Sequence, residues 1–413
     1  MSLFSTLPFG IPNKRVGLPI HSPTFQSFIA PLDDILEKIT PLTSRSNRPI
    51  TFTFDYQLKS LIYYHLEECT SAQGLLQMMA DDEFARQNLI PEEGLGESTF
   101  YEANANRGVI QMLEVFDQLG RKVSLRISNP FPQLGDLVAI DGSLIDATLS
   151  MTWADYSTDA NKVKVHIGLS LCQNFPRRIA LTTGNGAERP FVSEFLSIGQ
   201  TGVVDRGYQD HQRFDEWIDS DKHFVARLKK NTRWELIQSL PFIKGNGIFF
   251  FGKVRMGDKY HRMRHPVYLV GFRVRGKVYW VATDREDLSA EEIAFIYSLR
   301  WRIETLFGWW KRHLKVYHLI SRNPHGVFVQ LLSGLITYLL FLLYCLTRYG
   351  EKTPSIRRLR QLRWQIRRET GSVYPIRVEI HLEVMVLLIF PNISYVRGIF
   401  MQFFNRKLLL FSR

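Results

Sequence analysis

The stretch YSLRWRIETLFGWWKRHLKV, residues Tyr297–Val316, has the length and composition of a helix, yet it holds a single acid, Glu304, among arginines, lysines and tryptophans. Four of its polar side chains follow helical spacing, namely Tyr297, Arg300, Glu304 and Lys311. At about 100° per residue these positions fall on one face of a helix, because seven residues complete two turns with about 20° of drift. The aromatic residues of the stretch should cover much of the remaining surface. A covered helix with this polar line is expected to face a polyanion rather than water.

The composition of the chain also indicates an anionic partner. The 413 residues are enough for two or three domains with a sizeable core, and 45% hydrophobic residues exclude a disordered or fibrous protein. The net charge of +12 favours nucleic acid or an anionic membrane surface as partner. Residues 346–413 carry 13 lysines and arginines against 4 acids, which supplies +9 of that charge. This C-terminal region is therefore predicted to be a basic module.

The cysteines and the opening residues bear on the cellular compartment. Cys69, Cys172 and Cys345 are far apart and lack the spacing of a zinc site or a disulfide framework, so a reducing cytoplasm is expected. The opening sequence MSLFSTLPFGIPNK lacks the basic start and apolar core of a signal peptide. Both features predict a cytoplasmic protein.

One apolar segment, Val327–Thr347, is uncharged and long enough to span a bilayer. It also carries Gln330, Ser333 and Thr337 at helical spacing, with Gly334 beside them, which makes a small polar stripe on one face. That stripe favours a buried helix over a transmembrane helix. The alternative is a membrane-surface protein that is anchored by this segment and has a basic cytoplasmic tail.

The first hundred residues are predicted to be helical. Apolar residues recur with a period near 3.6 over residues 25–39, a second helix is expected over Phe54–Cys69, and a third begins near Ser71. After a glycine-rich turn, Thr99 is expected to cap a helix, with Glu102 as its partner in a capping box. This arrangement is compatible with a helix-turn-helix-like DNA reader and equally with an ordinary small helical domain.

From about residue 121 the pattern changes to short strands. The β-rich runs, separated by turn residues, are KVSLRI, DLVAIDGSLID, KVKVHIGLSL, RRIALTTG and GQTGVVDRGY, and the helix-sized segment ERPFVSEFLSI lies between two of them. Strands that alternate with helix predict an α/β core. After Asp221 the pattern is almost entirely β, with a tight hairpin at Arg275-Gly276, and helix returns with Ser289 as N-cap.

The predicted organisation has five parts. They are a helical N-terminal domain at 1–120 that is expected to bind DNA ends, the first part of the α/β core at 121–221, a β-rich insertion at 222–288, the second part of the core at 289–345, and a basic helical region at 346–413. The borders follow changes in the hydrophobic pattern and in charge.

Two aspartates stand directly after apolar strands. Asp141 ends the run DLVAID, and Asp205 ends the run GQTGVVD. A carboxylate at the end of a strand projects from the rim of a sheet, where α/β proteins build their sites. Considered alone, each is more often a turn residue or a helix cap. Together with Glu304 they form a candidate set of three acids.

This set resembles the insertion-sequence-four family of DDE transposases. Tyr297, two residues, Arg300, three residues, Glu304, six residues and Lys311 match the YREK signature of that family. The segments AIDGS and VVDRGY are similar to those that hold the first two acids. The similarity runs from about residue 137 to 315. It implies a ribonuclease-H-like catalytic core, two Mg²⁺ ions, and cut-and-paste movement of a DNA element through cleavage of its ends and strand transfer into a target.

The resemblance implies that Asp141, Asp205 and Glu304 are both the catalytic residues and the metal ligands. Phosphodiester cleavage can use two metal ions, one that activates the nucleophile and one that stabilises the leaving oxygen. Mg²⁺ prefers oxygen ligands and keeps several waters, so three carboxylates suffice, and Mn²⁺ could substitute for it. Arg300 and Lys311 would then hold phosphates, the arginine as a planar fork and the lysine as a point charge.

Other residues are candidates for contact with DNA. Tyr297 is equally compatible with a phosphate or sugar contact and with packing. The segment ARLKKNTRW interleaves four cations that are predicted to contact the DNA backbone: Arg227, Lys229, Lys230 and Arg233.

The second and third acids are 99 residues apart, far more than one crossover in a compact core needs. In the resembled family an inserted β-domain occupies this position, and the β-rich residues 222–288 fill it. Its aromatic residues Trp234, Tyr260 and Trp280 could stack on an unpaired base, although core packing is the more common role for such residues.

The resemblance also implies partners and a location. Double-stranded DNA is expected as terminal inverted repeats and as target, and a homodimer is expected in a paired-end complex, without a membrane partner. The location would be the bacterial cytoplasm, with nucleoid association when the protein is bound to DNA. The competing hypothesis is a catalytically inactive relative that binds DNA without cutting it, against which the intact set of three acids argues.

Overall fold

The computed structural model describes residues 20–43, 49–244, 246–258 and 260–371. Helices dominate both ends of this range and strands fill its middle. The helices are α1 Pro23–Ile29, α2 Asp33–Leu36, α3 Phe54–Leu66, α4 Ala72–Asp81, α5 Glu83–Asn88, α6 Glu97–Asn106, α7 Val109–Arg126, α8 Pro190–Phe195, α9 His211–Asp219, α10 Ala290–Leu299, α11 Trp301–His313, α12 Pro324–Tyr349 and α13 Ile356–Thr370. The strands are β1 Leu137–Ala147, β2 Asp155–Ser157, β3 Ala160–Ser170, β4 Phe175–Thr183, β5 Thr201–Val204, β6 His223–Arg227, β7 Trp234–Ser239, β8 Ile248–Met256, β9 Val267–Val274 and β10 Lys277–Thr283.

The strands form one mixed sheet. Its order is β2-β3-β1-β5-β6-β10-β9-β8-β7, and β4 pairs with β3. β1 is antiparallel to β3 and parallel to β5, and β5 is parallel to β6. From β6 onward the neighbours are antiparallel. The predicted α/β core is confirmed as a mixed sheet with helices packed on it.

Alternate residues of β1 face two separate apolar clusters. Leu137 and Ala139 belong to the cluster that includes α10, α11 and α12, whereas Val138 and Ile140 belong to a second cluster with residues of α8. β1 is therefore buried on both faces, which explains its continuous apolar run and leaves the following residues to carry polar side chains.

The β-rich interval predicted at 222–288 contains five strands, β6 to β10. They extend the core sheet instead of forming a separate one, since β6 pairs with both β5 and β10. The expected hairpin joins β9 to β10, and both of its turn residues, Arg275 and Gly276, have positive φ, at 48° and 75°, as a two-residue hairpin turn requires. The predicted border at residue 222 thus falls between two paired strands, and the five-part division remains a prediction.

Helix α12 contains the apolar segment for which a buried and a transmembrane position competed. Its length and composition would allow it to cross a membrane, but 94% of its most apolar window is buried within the fold. The polar stripe is satisfied internally, because Gln330 donates to the carbonyl of His318 at 2.7 Å and accepts from the N–H of Ile320 at 2.9 Å. The hydroxyl of Ser333 lies 3.0 Å from the ring of the buried His65. The prediction of a buried helix is confirmed.

Two local predictions are wrong. KVSLRI is predicted above as a strand, but α7 continues through it to Arg126. Its buried Val123 continues the helical spacing of Leu119 and Phe116, a period that a window of six residues is too short to reveal. Thr99 does not cap α6, because that helix begins at Glu97 after an N-cap glycine. The assignment of this region as a DNA reader stays a prediction.

The predicted cap at Ser289 and the predicted start of a helix near Ser71 are confirmed. Ser289 caps α10, and with Glu292 it completes a capping box in which each side chain bonds the backbone of the other residue. Ser71 caps α4, where its hydroxyl accepts from the N–H of Gly74. Both caps fix where helices begin after loops, and α10 leads directly into the candidate site.

In the basic C-terminal region, residues 346–349 end α12 and helix α13 follows, helical as predicted, while residues 372–413 lie outside the described range. Arg363 is buried and pairs with Glu68 at 2.7 Å, and Arg367 pairs with Glu67 at 2.6 Å. Both acids follow α3, so these contacts hold α13 on the N-terminal helices. Part of the positive charge in this region is therefore used inside the fold.

Candidate active site

The two candidate aspartates lie at equivalent positions along two neighbouring parallel strands. The last paired residues of β1 and β5 are Ala139 and Val203, and Asp141 and Asp205 each come two residues later. Since parallel strands keep a constant offset, this register brings both aspartates to the same edge of the ladder. β1 continues to Ala147 through its pairing with β3, so Asp141 lies inside a strand and not at its end.

The helix expected around Glu304 consists of two helices, α10 and α11, that meet at Arg300. The N–H of Arg300 donates to the carbonyl of Tyr297 at 3.2 Å, and the N–H of Ile303 donates to the carbonyl of Arg300 at 3.1 Å. These are the short-range bonds of a 3₁₀ turn. The backbone of Arg300 stays in the helical region, with φ −51° and ψ −33°. The quoted stretch is thus helical with a tight joint at Arg300.

Arg300 connects two of the three candidate acids. Its guanidinium lies 3.4 Å from a carboxylate oxygen of Asp141 and 2.5 Å from one of Glu304. The side chain of Arg300 is 11% exposed, against 23% for Asp141 and 34% for Glu304. Ionic contacts that are shielded from water in this way are stronger than surface contacts.

Asp205 is held by two neighbours on the same carboxylate oxygen. The hydroxyl of Tyr297 donates to it at 3.3 Å, and the guanidinium of Arg227 lies 3.6 Å from it. Arg227 stacks over Tyr279, with 4.8 Å between the guanidinium carbon and the ring centre. Tyr297 is buried and donates to an acid, and its contact with a phosphate or sugar stays a prediction. The guanidinium of Arg300 lies 5.9 Å from the centre of the Tyr297 ring and so links these contacts. The sequence-predicted residues that the structure brings into one connected group are Asp141, Asp205, Glu304, Tyr297, Arg300 and Arg227.

The charges of this group are incompletely balanced. Burial raises the pKa of Asp141 to about 6, although Arg300 opposes that rise. Burial disfavours the charge of Arg300, but Tyr297, Glu304 and Asp141 outweigh it and raise the pKa of the guanidinium above its usual range. Burial raises the pKa of Tyr297 to about 12, so its hydroxyl keeps the proton that it donates. A further cation beside Asp141 would stabilise its charged form.

Lys311 contacts the backbone of β1 and not a carboxylate. Its ammonium donates to the carbonyl of Leu144 at 2.5 Å, three residues beyond Asp141. Burial lowers the pKa of this ammonium. The contact of Lys311 with a phosphate stays a prediction.

Lys229, Lys230 and Arg233, together called the basic loop, follow β6 and are exposed. The loop is anchored by the N–H of Lys229, which donates to the side-chain oxygen of Gln209 at 2.7 Å. Gln209 comes four residues after Asp205, so the basic loop is tied to the turn that carries the second acid. Its position suits the predicted contact with DNA, which stays a prediction.

The aromatic residues of the β-rich interval divide into two groups. Trp234 and Trp280 lie 5.7 Å apart and both contact Phe250, which is a packing arrangement. Tyr260 is 84% exposed. Tyr260 is therefore the better candidate of the three for contact with a ligand.

Two residues beside this group, Glu188 and Tyr208, were not predicted from the sequence. Glu188 is the first residue of ERPFVSEFLSI, and its carboxylate lies 3.2 Å from the ammonium of Lys164. Tyr208 belongs to the 3₁₀ turn Arg206–Tyr208, directly after Asp205, and is 1% exposed. Burial raises the pKa of its hydroxyl, and the charges of Glu188 and Asp141 raise it further. In the sequence, Glu188 cannot be distinguished from an ordinary acid at the start of a helix, and Tyr208 cannot be distinguished from an ordinary core tyrosine.

The metal-ligand assignment stays a prediction. Within the described ranges, no three His, Cys, Asp or Glu side chains lie close enough together to hold a metal ion in their present conformation. The guanidinium of Arg300 contacts two of the three candidate ligands, Asp141 and Glu304. A cation shared by these carboxylates would require Arg300 to move.

An α/β core that gathers carboxylates next to exposed cations is the arrangement expected of a protein that acts on phosphodiesters. Residues 132–340, just over half of the chain, match the family model of the transposase DDE domain. The chain therefore belongs to the transposase DDE domain family and is a DNA transposase. Proteins of this family generally use divalent metal ions. The insertion-sequence-four assignment and its signature remain predictions.

Named relatives agree with the family. A protein described as a transposase for insertion sequence element IS4SA of Synechocystis sp. is 27% identical over 260 residues, which cover 62% of this chain and 74% of that protein. A protein described as a transposase for insertion sequence element IS5377 of Geobacillus stearothermophilus is 29% identical over 193 residues, 46% of this chain and 51% of that protein. The chain thus spans about half the length of the second relative. Among solved structures, the piggyBac transposase synaptic complex with hairpin DNA matches 89% of this chain and 84% of that chain, with 10% identity and a TM-score of 0.41.

Proposed function

We propose that this transposase cleaves the ends of a DNA element and joins them to target DNA in a cut-and-paste reaction, with Asp141, Asp205 and Glu304 as catalytic carboxylates and metal ligands. The observation that carries this proposal is the register of β1 and β5, which sets Asp141 beside Asp205, together with Arg300, which links Asp141 to Glu304. The mixed sheet supports a ribonuclease-H-like description of the core.

The donor set fits Mg²⁺, for which Mn²⁺ could substitute, because carboxylate oxygens are the ligands that these cations prefer. Arg300 only partly offsets the rise in the pKa of Asp141 that burial causes, so a cation would stabilise the charge of this carboxylate. The hydroxyl of Tyr208 is buried and has no hydrogen-bond partner within 3.5 Å among the described side chains, so a hydrated cation would satisfy it as well. When bound, two such ions activate the attacking oxygen and stabilise the leaving oxygen.

Arg300 and Tyr297 prepare these acids for the substrate. Arg300 keeps Asp141 and Glu304 neutralised before DNA is bound, since its guanidinium contacts both. The same planar fork binds a phosphate as well as a carboxylate, so DNA can draw the guanidinium away and release the two acids. Tyr297 keeps Asp205 oriented throughout, because its hydroxyl stays protonated.

Double-stranded DNA is the proposed partner, first as terminal inverted repeats and then as target. The basic loop would contact the backbone next to the turn of Asp205, and Lys311 would contact it farther along β1. A homodimer in a paired-end complex and a ribonuclease-H-like core interrupted by a β-rich insertion belong to the same proposal. The buried α12 fits a cytoplasmic location, with nucleoid association when DNA is bound.

The test is cleavage of the inverted repeats that flank the gene, with Mg²⁺, by Asp141→Asn, Asp205→Asn and Glu304→Gln. Each variant should lose cleavage while it still binds the repeats. Asp146→Asn is the matched control, since Asp146 lies on β1, is 88% exposed and pairs with Lys162 on the surface. It should cleave at the wild-type rate. Wild-type cleavage by any of the three variants would overturn the assignment, and a wild-type protein that binds but does not cut would support the inactive relative.

A further inference from the structure

Glu188 lies beside the candidate acids without a role in the reaction proposed above. It precedes α8, and its carboxylate is 31% exposed. Space for this carboxylate depends on Gly142, because a Cβ at that position would come within 3.0 Å of its Oε1 atom. Gly142 directly follows Asp141. Glu188 is therefore packed against Gly142, the neighbour of the first candidate ligand.

A buried hydroxyl also points to this position. Tyr208 is 1% exposed, and its hydroxyl has no hydrogen-bond partner within 3.5 Å among the described side chains, although Glu188 is near enough to interact with it. The negative charges of Glu188 and Asp141 both act on it. A buried hydroxyl without a partner is uncommon in a folded protein and calls for an explanation, such as a bound ion or water. Tyr208 thus faces two acids at a place where a hydrated ligand would complete its hydrogen bonding.

The neighbouring cations do not balance the acids. Lys164 lies 3.2 Å from Glu188, and it also donates to the carbonyl of Gly186 at 3.0 Å. Arg300 serves both Asp141 and Glu304. Two cations thus face three carboxylates in this part of the site, and carboxylates that are partly removed from water need further compensation.

We propose that Glu188 is a fourth carboxylate of the active site and that it holds a divalent cation together with Asp141, with Tyr208 hydrogen-bonded to the hydrated ion. This inference rests on the function proposed above for Asp141. Lys164 neutralises Glu188 in the absence of the cation, as Arg300 does for the other two acids. The competing explanation is a structural ion pair in which Glu188 and Lys164 fix the loop before α8.

The experiment measures Mn²⁺ binding to the full-length protein without DNA, by the electron paramagnetic resonance signal of free Mn²⁺. Glu188→Gln keeps the shape of the side chain and should weaken Mn²⁺ binding at least about tenfold. Glu194→Gln is the matched control, since Glu194 lies in α8 and is exposed, and it should bind as the wild type does. Glu188→Asp keeps the charge and should recover part of the affinity.

Two further variants separate the explanations. Lys164→Met removes the cation that competes with Mn²⁺, so it should bind Mn²⁺ as tightly as the wild type or more tightly. Equal weakening by Glu188→Gln and Lys164→Met would show that the ion pair is structural and would overturn the inference. So would Glu188→Gln binding within twofold of the wild type while Asp141→Asn loses Mn²⁺. Wild-type binding by Asp141→Asn would instead overturn the proposed function, and the role of Glu188 with it.

Discussion

Replacing Asp141 with asparagine should stabilise the protein when divalent metal is absent. Burial raises the pKa of Asp141 to about 6 from an ordinary value of 3.8. Between about pH 4 and pH 6 the folded protein therefore keeps a proton that the unfolded chain has lost, and its stability falls as the pH rises through this window. Above about pH 6 the loss is complete and amounts to about 3 kcal/mol, since one pKa unit corresponds to about 1.4 kcal/mol.

Thermal unfolding in EDTA measures this effect. For a chain of this size, about 3 kcal/mol corresponds to about 4 °C in Tm, so Asp141→Asn should melt about 4 °C above the wild type at pH 8. The difference should shrink towards zero as the pH is lowered to about 4, because the aspartate is then neutral in the folded protein. Asp146→Asn, at an exposed position of the same strand, should melt as the wild type does at both pH values.

Mg²⁺ should reverse part of the difference. A ligand that binds the folded state raises its stability, so the wild type should melt at a higher temperature with Mg²⁺ while Asp141→Asn should not. If Asp141→Asn were less stable than the wild type at pH 8 in EDTA, the prediction that the charge of Asp141 destabilises the fold would be wrong. Arg300 would then offset the full cost of burying that charge. A gain that persisted at low pH would mean that the effect is steric and not electrostatic.

Three other outcomes follow from the same contacts. Alanine at all three cations of the basic loop should weaken binding to different DNA sequences to the same extent. The slope of affinity against salt concentration should become shallower by up to about one ion for each phosphate that is no longer neutralised, as measured by fluorescence anisotropy in a salt series. An unchanged slope would show that DNA binds elsewhere on the protein. Arg300→Lys should slow single-turnover cleavage about tenfold or more, because a point charge cannot replace a fork that contacts two carboxylates; an unchanged rate would show that charge alone suffices. Gly334→Ala should destabilise the protein by about 1–3 kcal/mol in urea, since the new Cβ would lie 2.6 Å from Val316 and 2.8 Å from the indole nitrogen of Trp310. Gly308→Ala, where the nearest atom is the end of an arginine side chain at 3.4 Å, is its control and should be neutral or stabilising.

Features that depend on local chemistry could be predicted from the sequence. The stripe of Gln330 and Ser333 identified α12 as a buried helix, because small polar groups at helical spacing need partners that lipid does not offer. The spacing of Arg300 and Glu304 placed both on one face, and the structure joins them directly. The apolar run before Asp205 correctly predicted an acid directly after a strand, whereas Asp141 lies inside β1, because pairing with β3 continues that strand to Ala147.

Features that depend on the packing of distant segments could not be predicted. Glu188 and Gly142 are far apart in the chain and meet because α8 packs on β1, an arrangement that neither segment encodes alone. The β content of the interval 222–288 could be predicted, but the pairing of β6 with β5, which joins this interval to the core sheet, could not. Strand content follows from local sequence, but the choice of partner strand follows from long-range contacts.

The contact between Lys311 and β1 follows from the rise per residue of a helix and of a strand. Seven residues of helix separate it from Glu304, which is a rise of about 10 Å. Three residues of strand separate Leu144, the residue whose carbonyl it contacts, from Asp141, which is again about 10 Å. Because α11 contacts β1 and the two distances match, Lys311 contacts the strand about as far from Asp141 as Lys311 lies from Glu304 along its helix. If Lys311 holds a nucleotide that neighbours the reacting phosphate, as predicted, its substitution should lower the affinity for DNA more than the rate of cleavage.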